Sequence, residues 1–238
     1  RPMPEVEVVD MRGEFERGNH SIFSARLSAE LRRCLDDGHQ AMLFINRRGH
    51  STFVSCRACG YVVKCDQCDV SMTYHQSDGM LHCHYCGSIR RMPEVCPACG
   101  GQHLRRMGFG TQRLEDELAI RFPQARILRM DADTTGSRYA YEQGFEAFRK
   151  GEYDIMLGTQ MIGKGLDFPN VTLVGVMSVD KALYAGDFRS YERTFSLITQ
   201  VVGRGGRGGK PGRAILQTFM PDHYVLRLAA QQDYEGFA

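Results

Sequence analysis

Residues 40–68 read QAMLFINRRGHSTFVSCRACGYVVKCDQC, and two physical regimes meet inside them. Ala41–Asn46 is a short run that is apolar on both alternating faces, as in a strand of a parallel sheet covered from both sides. Beyond it the chain turns to cysteine pairs at two-residue spacing, with few apolar residues among them. The junction predicts a layered α/β fold interrupted by a small module that something other than hydrophobic burial must hold.

Working outward, further short apolar runs stand at Arg126–Met130, Asp154–Gly158, Val171–Ser178 and Arg213–Thr218. Between them lie amphipathic stretches at Ser21–Asp37, Thr111–Phe122, Tyr141–Arg149, Arg189–Val202 and Asp222–Gln231. In the first, Phe23, Leu27, Leu31 and Leu35 recur at helical four-residue steps, and Gly38 follows where a C-terminal cap belongs. Strand alternating with helix predicts a doubly wound parallel sheet, with Ala41–Asn46 as its first strand. The rhythm breaks at about His50 and resumes at Gly108. Residues 1–49 and 108–238 therefore read as one discontinuous α/β lobe, and 50–107 as a cysteine-rich insert. A chain of 238 residues is long enough for such a core and an extra module.

The formal charge of +2 is too small to argue for nucleic acid by itself. Local clusters at Arg47-Arg48, Arg90-Arg91, Arg105-Arg106 and Arg204 to Arg213 read equally as solvated faces. No apolar run approaches the roughly 20 residues of a membrane span. No secretory leader opens the chain, and Arg1 in place of Met reads as a piece cut from something longer.

Eight of the nine cysteines fall in C-x-x-C pairs: Cys56/Cys59, Cys65/Cys68, Cys83/Cys86 and Cys96/Cys99. A two-residue gap lets both thiolates of a tight turn face one metal, and four such turns supply two tetrahedral zinc sites. The competing reading, a disulfide framework, needs an oxidising compartment that nothing in the sequence supports. Between the inner pairs, Met72-Thr73-Tyr74 and the turn Ser77-Asp78-Gly79 read as a hairpin with a knuckle at each base, as in a zinc ribbon. The inner pairs, Cys65/Cys68 and Cys83/Cys86, then share one zinc. The outer pairs, Cys56/Cys59 and Cys96/Cys99, close around it and share the other. His75, His82 and His84 are further ligand types, but eight cysteines already fill two sites. Closed four-thiolate sites leave no position for a reacting water, so the zinc is structural. Cys34 stands apart on an apolar-periodic helix and reads as a buried, inert thiol.

Two glycine-rich stretches imitate nucleotide motifs. Gly158–Gly165 follows a strand and fits G-x-x-x-x-G-K, but Gly165 stands where Ser or Thr must hold magnesium, so it is not a Walker motif. Gly203–Gly208 fits G-x-G-x-x-G but closes a helix instead of opening one, which excludes a dinucleotide fingerprint. It places Gln200, Arg204 and Arg207 together where two guanidiniums can meet a phosphate held by a neighbouring lobe. A basic surface loop is the alternative.

QVVGRGGR, residues 200–207, resembles motif VI of superfamily 2 helicases, and GTQMIGKGLDF, residues 158–168, resembles their motif V. More narrowly, FINRRGH, the four cysteine pairs, GFGTQRLEDEL, MDADTT, GTQMIGKGLDFP, DFRSYERTFSLITQVVGRGGRGGKPG and LQTF succeed one another as in the PriA family of bacterial primosomal helicases. Nearly the whole chain is covered. The chain departs from the family pattern at Gly163, Gly205 and Gly208, where alanine is usual, and at Ser137-Arg138-Tyr139. The resemblance implies a RecA-like second helicase lobe carrying a zinc-ribbon-like insert with the nested pairing. It also implies an activity of the longer protein: ATP- and Mg2+-driven movement along single-stranded and branched DNA during replication restart. Arg204, Arg207 and Gln200 would serve catalysis, and Gly165 and Asp167 the nucleotide. Arg47, Arg48, Thr159 and Lys164 would contact the strand. Implied partners are single-stranded-DNA-binding protein and the primosome and helicase-loading proteins, at a cytoplasmic, nucleoid-associated location. This stretch alone, without Walker motifs, is expected to be inactive. A non-hydrolysing zinc-ribbon scaffold that binds DNA or protein is the alternative.

Overall fold

The computed structural model describes residues 4–46, 52–131, 138–159, 168–185, 189–203 and 212–237. The chain opens with β1 (Glu5–Asp10), α1 (Met11–Glu16), α2 (Ala25–Asp36) and β2 (Gln40–Phe44). Five short strands follow: β3 (Thr52–Cys56), β4 (Thr73–Tyr74), β5 (Met80–His82), β6 (Ile89–Arg91) and β7 (Leu104–Arg106). Helix and strand then alternate through α3 (Thr111–Arg121), β8 (Ile127–Met130), α4 (Arg138–Arg149), β9 (Ile155–Gly158) and β10 (Val171–Val176). The chain closes with α5 (Asp180–Leu183), α6 (Ser190–Val202), β11 (Arg213–Thr218), α7 (Tyr224–Gln231) and α8 (Tyr234–Phe237).

Six strands form one sheet in the order β1-β11-β10-β2-β9-β8, and every neighbouring pair is parallel. All of β2 is buried. Its Ala41 and Leu43 join Leu27 and Leu31 of α2 and Leu114 and Leu118 of α3 on one face. Its Met42 and Phe44 join Phe148 of α4, Ile198 of α6 and Leu226 of α7 on the other. Both faces are covered, which is why the strand is apolar at every position.

The structure corrects two expectations. The helix expected from Ser21 begins at Ala25, because Ser24 is its cap: Ser24 Oγ accepts from the Leu27 amide at 3.0 Å. Glu14 Oε2 accepts the Ala25 amide at 3.0 Å and so holds the preceding turn closed. Nor is β2 the first strand. β1 precedes it and pairs with β11 from Glu5↔Arg213 to Asp10↔Thr218, forming the sheet edge.

Residues 52–106 form a separate antiparallel sheet in the order β6-β5-β4-β3-β7. It has a small core of its own, in which Val54, Val63, Met72, Leu81 and Leu104 pack beside cysteines. It is also fastened to the lobe. Phe53, Val62 and Met107 enter the core that Phe44 and Val176 share, and Ser71 Oγ donates to the Tyr184 carbonyl at 3.0 Å.

Candidate metal centres

The four C-x-x-C pairs fold into the same turn. The Cys56 carbonyl accepts the Gly60 amide at 2.8 Å, while its amide donates to the Tyr61 carbonyl at 2.8 Å. Cys65 does the same with Asp69 and Val70, Cys83 with Gly87 and Ser88, and Cys96 with Gly100 and Gly101. Each turn needs a left-handed residue just after its second cysteine. Gly60, Gly87 and Gly100 supply it at φ of 79°, 76° and 71°, and Asp69 at 52°. The sequence reading overlooked these residues, although C-x-x-C-G recurs in three of the pairs. Gly60 has a second duty: a Cβ there would lie 2.4 Å from the Phe219 carbonyl, so the knuckle rests directly on lobe backbone.

The turns bring their thiols together as two quartets, Cys56, Cys59, Cys96 and Cys99, and Cys65, Cys68, Cys83 and Cys86. The sulfurs of each lie within 4.8 Å of one another. Cys56 and Cys99 stand 3.8 Å apart, Cys59 and Cys96 3.6 Å, and Cys65 and Cys86 3.6 Å. A tetrahedron with Zn–S bonds of about 2.3 Å has edges of roughly 3.8 Å, so the donor sets fit zinc. None of the nine cysteines is in a disulfide.

Electrostatics explain why a dication belongs there. Burial pushes the Cys59 thiol up to about 12, and the thiols of Cys96, Cys56 and Cys99 add to the shift. The neighbouring Cys86 thiol does the same to Cys68, also to about 12. Cys86 is drawn down to about 6 by hydrogen bonds from the Ser88 hydroxyl and amide. Four thiols this close cannot all ionise unless a cation offsets their charge. Each site takes four sulfurs, which leaves none open to a substrate water, so the metal is structural.

The histidines stand outside both quartets. His75 Nε2 is 3.3 Å from His84 Nε2, and His82 Nε2 is 2.7 Å from Asp78 Oδ2. Cys34 is buried on α2 with its sulfur 3.5 Å from Thr172 Oγ1, and burial raises its pKa to about 11.

Among the residues expected to serve a motor, two are described. Thr159 is buried just after β9. Gln200 is exposed on the last turn of α6, and its Nε2 donates to Ser196 Oγ at 2.9 Å. Arg47, Arg48, Lys164, Gly165, Asp167, Arg204 and Arg207 lie outside the described residues. The strands that lead toward the first five are neighbours: β2 and β9 pair, and the Ile45 amide donates to the Gly158 carbonyl at 3.0 Å.

Comparison with known proteins places this geometry in a family. Residues 65–91 match the family profile described as PriA DNA helicase Cys-rich region (CRR) domain, and residues 109–209 match the helicase conserved C-terminal domain. The chain is 54% identical over 237 residues to "Replication restart protein PriA" of Bacillus subtilis, with all of the chain aligned. It is 47% identical over 241 residues to the protein of the same name from Synechocystis, again along its whole length. The chain belongs to the PriA family. It spans 29% of the length of each of these two PriA relatives. A solved structure, RecG bound to a three-way DNA junction, matches with a TM-score of 0.52 at 14% identity. That match covers 100% of this chain and 21% of RecG, and carries the fold alone. The parallel sheet is thus a RecA-like helicase lobe, and in PriA terms the Cys-rich profile falls on the inner quartet and its hairpin. Among the described residues no helix is long and apolar enough to cross a membrane.

Proposed function

We propose that this chain is the second motor lobe of an ATP-dependent DNA helicase. The longer protein unwinds or remodels branched forks and initiates primosome assembly in replication restart. One observation carries the reading: the whole chain aligns at 54% identity with a protein named for replication restart. The helicase profile over residues 109–209 supports a motor over a bare zinc scaffold.

In this reading residues 1–49 and 108–238 are the lobe, and 50–107 the insert that the two zinc ions stabilise. ATP and Mg2+ bind between this lobe and a Walker-bearing lobe of the longer protein. Arg204 and Arg207, with Gln200 beside them, meet the charge that develops on the transferred phosphoryl group. Gly165 and Asp167 serve the ribose side of the nucleotide. Arg47, Arg48, Thr159 and Lys164 touch the strand. Single-stranded and branched DNA are the substrates. Single-stranded-DNA-binding protein and the primosome and helicase-loading proteins are the partners, at the nucleoid in the cytoplasm.

DNA-stimulated ATP hydrolysis by the longer protein tests the motor, and DNA that leaves turnover unchanged contradicts it. The 238-residue chain alone, without a G-K-[ST] hydroxyl, should hydrolyse no ATP with or without DNA. Turnover by it that Lys164→Ala abolishes would restore Gly158–Gly165 as a true P-loop.

A further inference from the structure

Arg57 lies between the two cysteines of the first knuckle, and its side chain reaches the seam between insert and lobe. There it lines a cavity of about 70 Å³ together with Arg106 and Arg113. A water takes up roughly 30 Å³ of liquid, so the space suits two waters or one small oxyanion. Asp180 is the one carboxylate among the described lining residues, and both its oxygens are engaged. Oδ1 accepts from Thr218 Oγ1 at 2.5 Å, and Oδ2 from the Phe219 amide at 3.0 Å.

The three arginines differ in how they are satisfied. Arg113 Nε donates to Glu117 at 3.3 Å, and Arg106 lies 5.0 Å from the centre of the Tyr74 ring. Arg57 Nε is buried with no hydrogen-bond partner. A buried donor left unpaired is costly, and more so when it is charged. Gathering guanidiniums around one space without a free carboxylate makes physical sense where an anion completes the set. The other wall agrees. Gly108 and Phe109 line the cavity, and α3 opens immediately after at Gly110, an N-cap with no side chain to satisfy the first amides. That helix end carries partial positive charge. These residues belong to the GFGTQ stretch, to which the motor reading above assigns no individual role.

We propose that Arg57, Arg106 and Arg113 form an oxyanion site at the seam, and that it takes a phosphate group. Its source is either the backbone of a nucleic-acid strand crossing the seam or free phosphate. Bidentate guanidinium–phosphate geometry suits both, and an anion there ties the first knuckle to α3 of the lobe. The site does not depend on ATP hydrolysis, so it stands or falls separately from the motor.

The test follows the arginine Nε–Hε resonances of the zinc-loaded protein by NMR. Inorganic phosphate is titrated against a matched chloride control, and a short oligothymidylate without terminal phosphates is titrated separately. The Arg57 resonance should shift and saturate with phosphate. Arg57→Gln and Arg113→Gln, each still holding two zinc ions, should weaken that binding about tenfold or more. Arg57→Lys should restore little, since a point charge does not reproduce the planar fork. Saturation by the oligonucleotide identifies a strand phosphate as the source, and a response to inorganic phosphate alone identifies the free anion. An Arg57 resonance that moves no more than in chloride overturns the site, as does phosphate affinity unchanged in both glutamine variants. The first of these readings needs no variant to fold.

Discussion

Asp69 takes the backbone position that glycine fills in the other three knuckles, with φ of 52°. Its Cβ makes that conformation costly, by roughly 1–2 kcal/mol for an ordinary residue and less for aspartate, which tolerates the left-handed region. The Lys64 ammonium lies 3.1 Å from its carboxylate, but on an exposed surface where such a pair contributes little. Asp69→Gly should therefore keep both zinc ions and raise thermal stability slightly, by up to about 1 kcal/mol. Calorimetric melting of the two proteins checks this, and a lower melting temperature contradicts it. Asp180 poses the opposite case. It is buried, and desolvation raises its pKa from 3.8 to about 6 against the hydrogen bonds from Thr218 and Phe219. The folded state therefore holds this proton more tightly than the unfolded chain does. Its contribution is fully present below about pH 4 and is lost as pH rises through about 6. Comparing melting temperatures of Asp180→Asn and the parent at matched pH cancels what the thiolates do. The difference should shift in the variant's favour between pH 4 and 6, by up to about 3 kcal/mol. A difference independent of pH would mean that Asp180 stays charged.

Elements in this fold are fixed by what each strand face touches. At Gly175 in β10 a Cβ would sit 2.6 Å from Leu43 Cδ2 and 3.2 Å from Leu27 Cδ1, so α2 packs close against the sheet at a point with no side chain. Gly175→Ala should overpack this contact and cost about 1–3 kcal/mol in denaturant unfolding, with zinc content unchanged. A neutral effect would show that Leu43 and Leu27 can move aside. The same geometry explains what was legible in advance. β2, β9, β10 and β11 are short runs that bury both faces or nearly so, and β8, though half-buried at the sheet edge, is still a short apolar run; such runs stand out without any knowledge of their partners. β1 does not stand out in the sequence because Glu5 and Glu7 alternate with Val6 and Val8, a pattern shaped by its place at the sheet edge. Periodicity alone starts α2 too early, because Phe23 keeps step with Leu27 and Leu31. Phe23 is buried, but in the turn that Ser24 and Glu14 hold, and periodicity cannot tell a helical apolar residue from one just before the cap.

At the scale of the molecule, two polypeptide regions are stabilised by different physics. The lobe buries large apolar clusters on both sides of its sheet, whereas the insert has a small core threaded with thiols. The quartets were legible because metal ligation needs only residue type and spacing. The seam was not, because Arg57, Arg113 and Asp180 are distant in sequence and are brought together only by the fold. If each quartet holds its own zinc, Cys56→Ser should lower the metal content of the purified protein from two zinc ions to one, and Cys65→Ser should do the same. Loss of the inner zinc should disturb the hairpin of β4 and β5, and loss of the outer zinc the contact of Gly60 with Phe219. A parent protein that binds a single zinc contradicts the two-site arrangement.

The central claim is that the lobe works on a phosphoryl group held by a second lobe, and Arg207 tests it most directly. A guanidinium that meets charge developing in the transition state is worth on the order of a thousandfold or more in turnover. In the longer protein, Arg207→Ala should cut DNA-stimulated ATP turnover to that degree, while ATP affinity stays within a few-fold and both zinc ions remain. Arg207→Lys should recover little of the loss, because ammonium lacks the bidentate fork. Steady-state turnover, nucleotide affinity and zinc content measured on one preparation of the alanine variant decide the matter. Turnover near that of the parent protein, with only weaker, salt-sensitive DNA binding, would mean that the arginine sits on a solvated basic loop and would contradict the account.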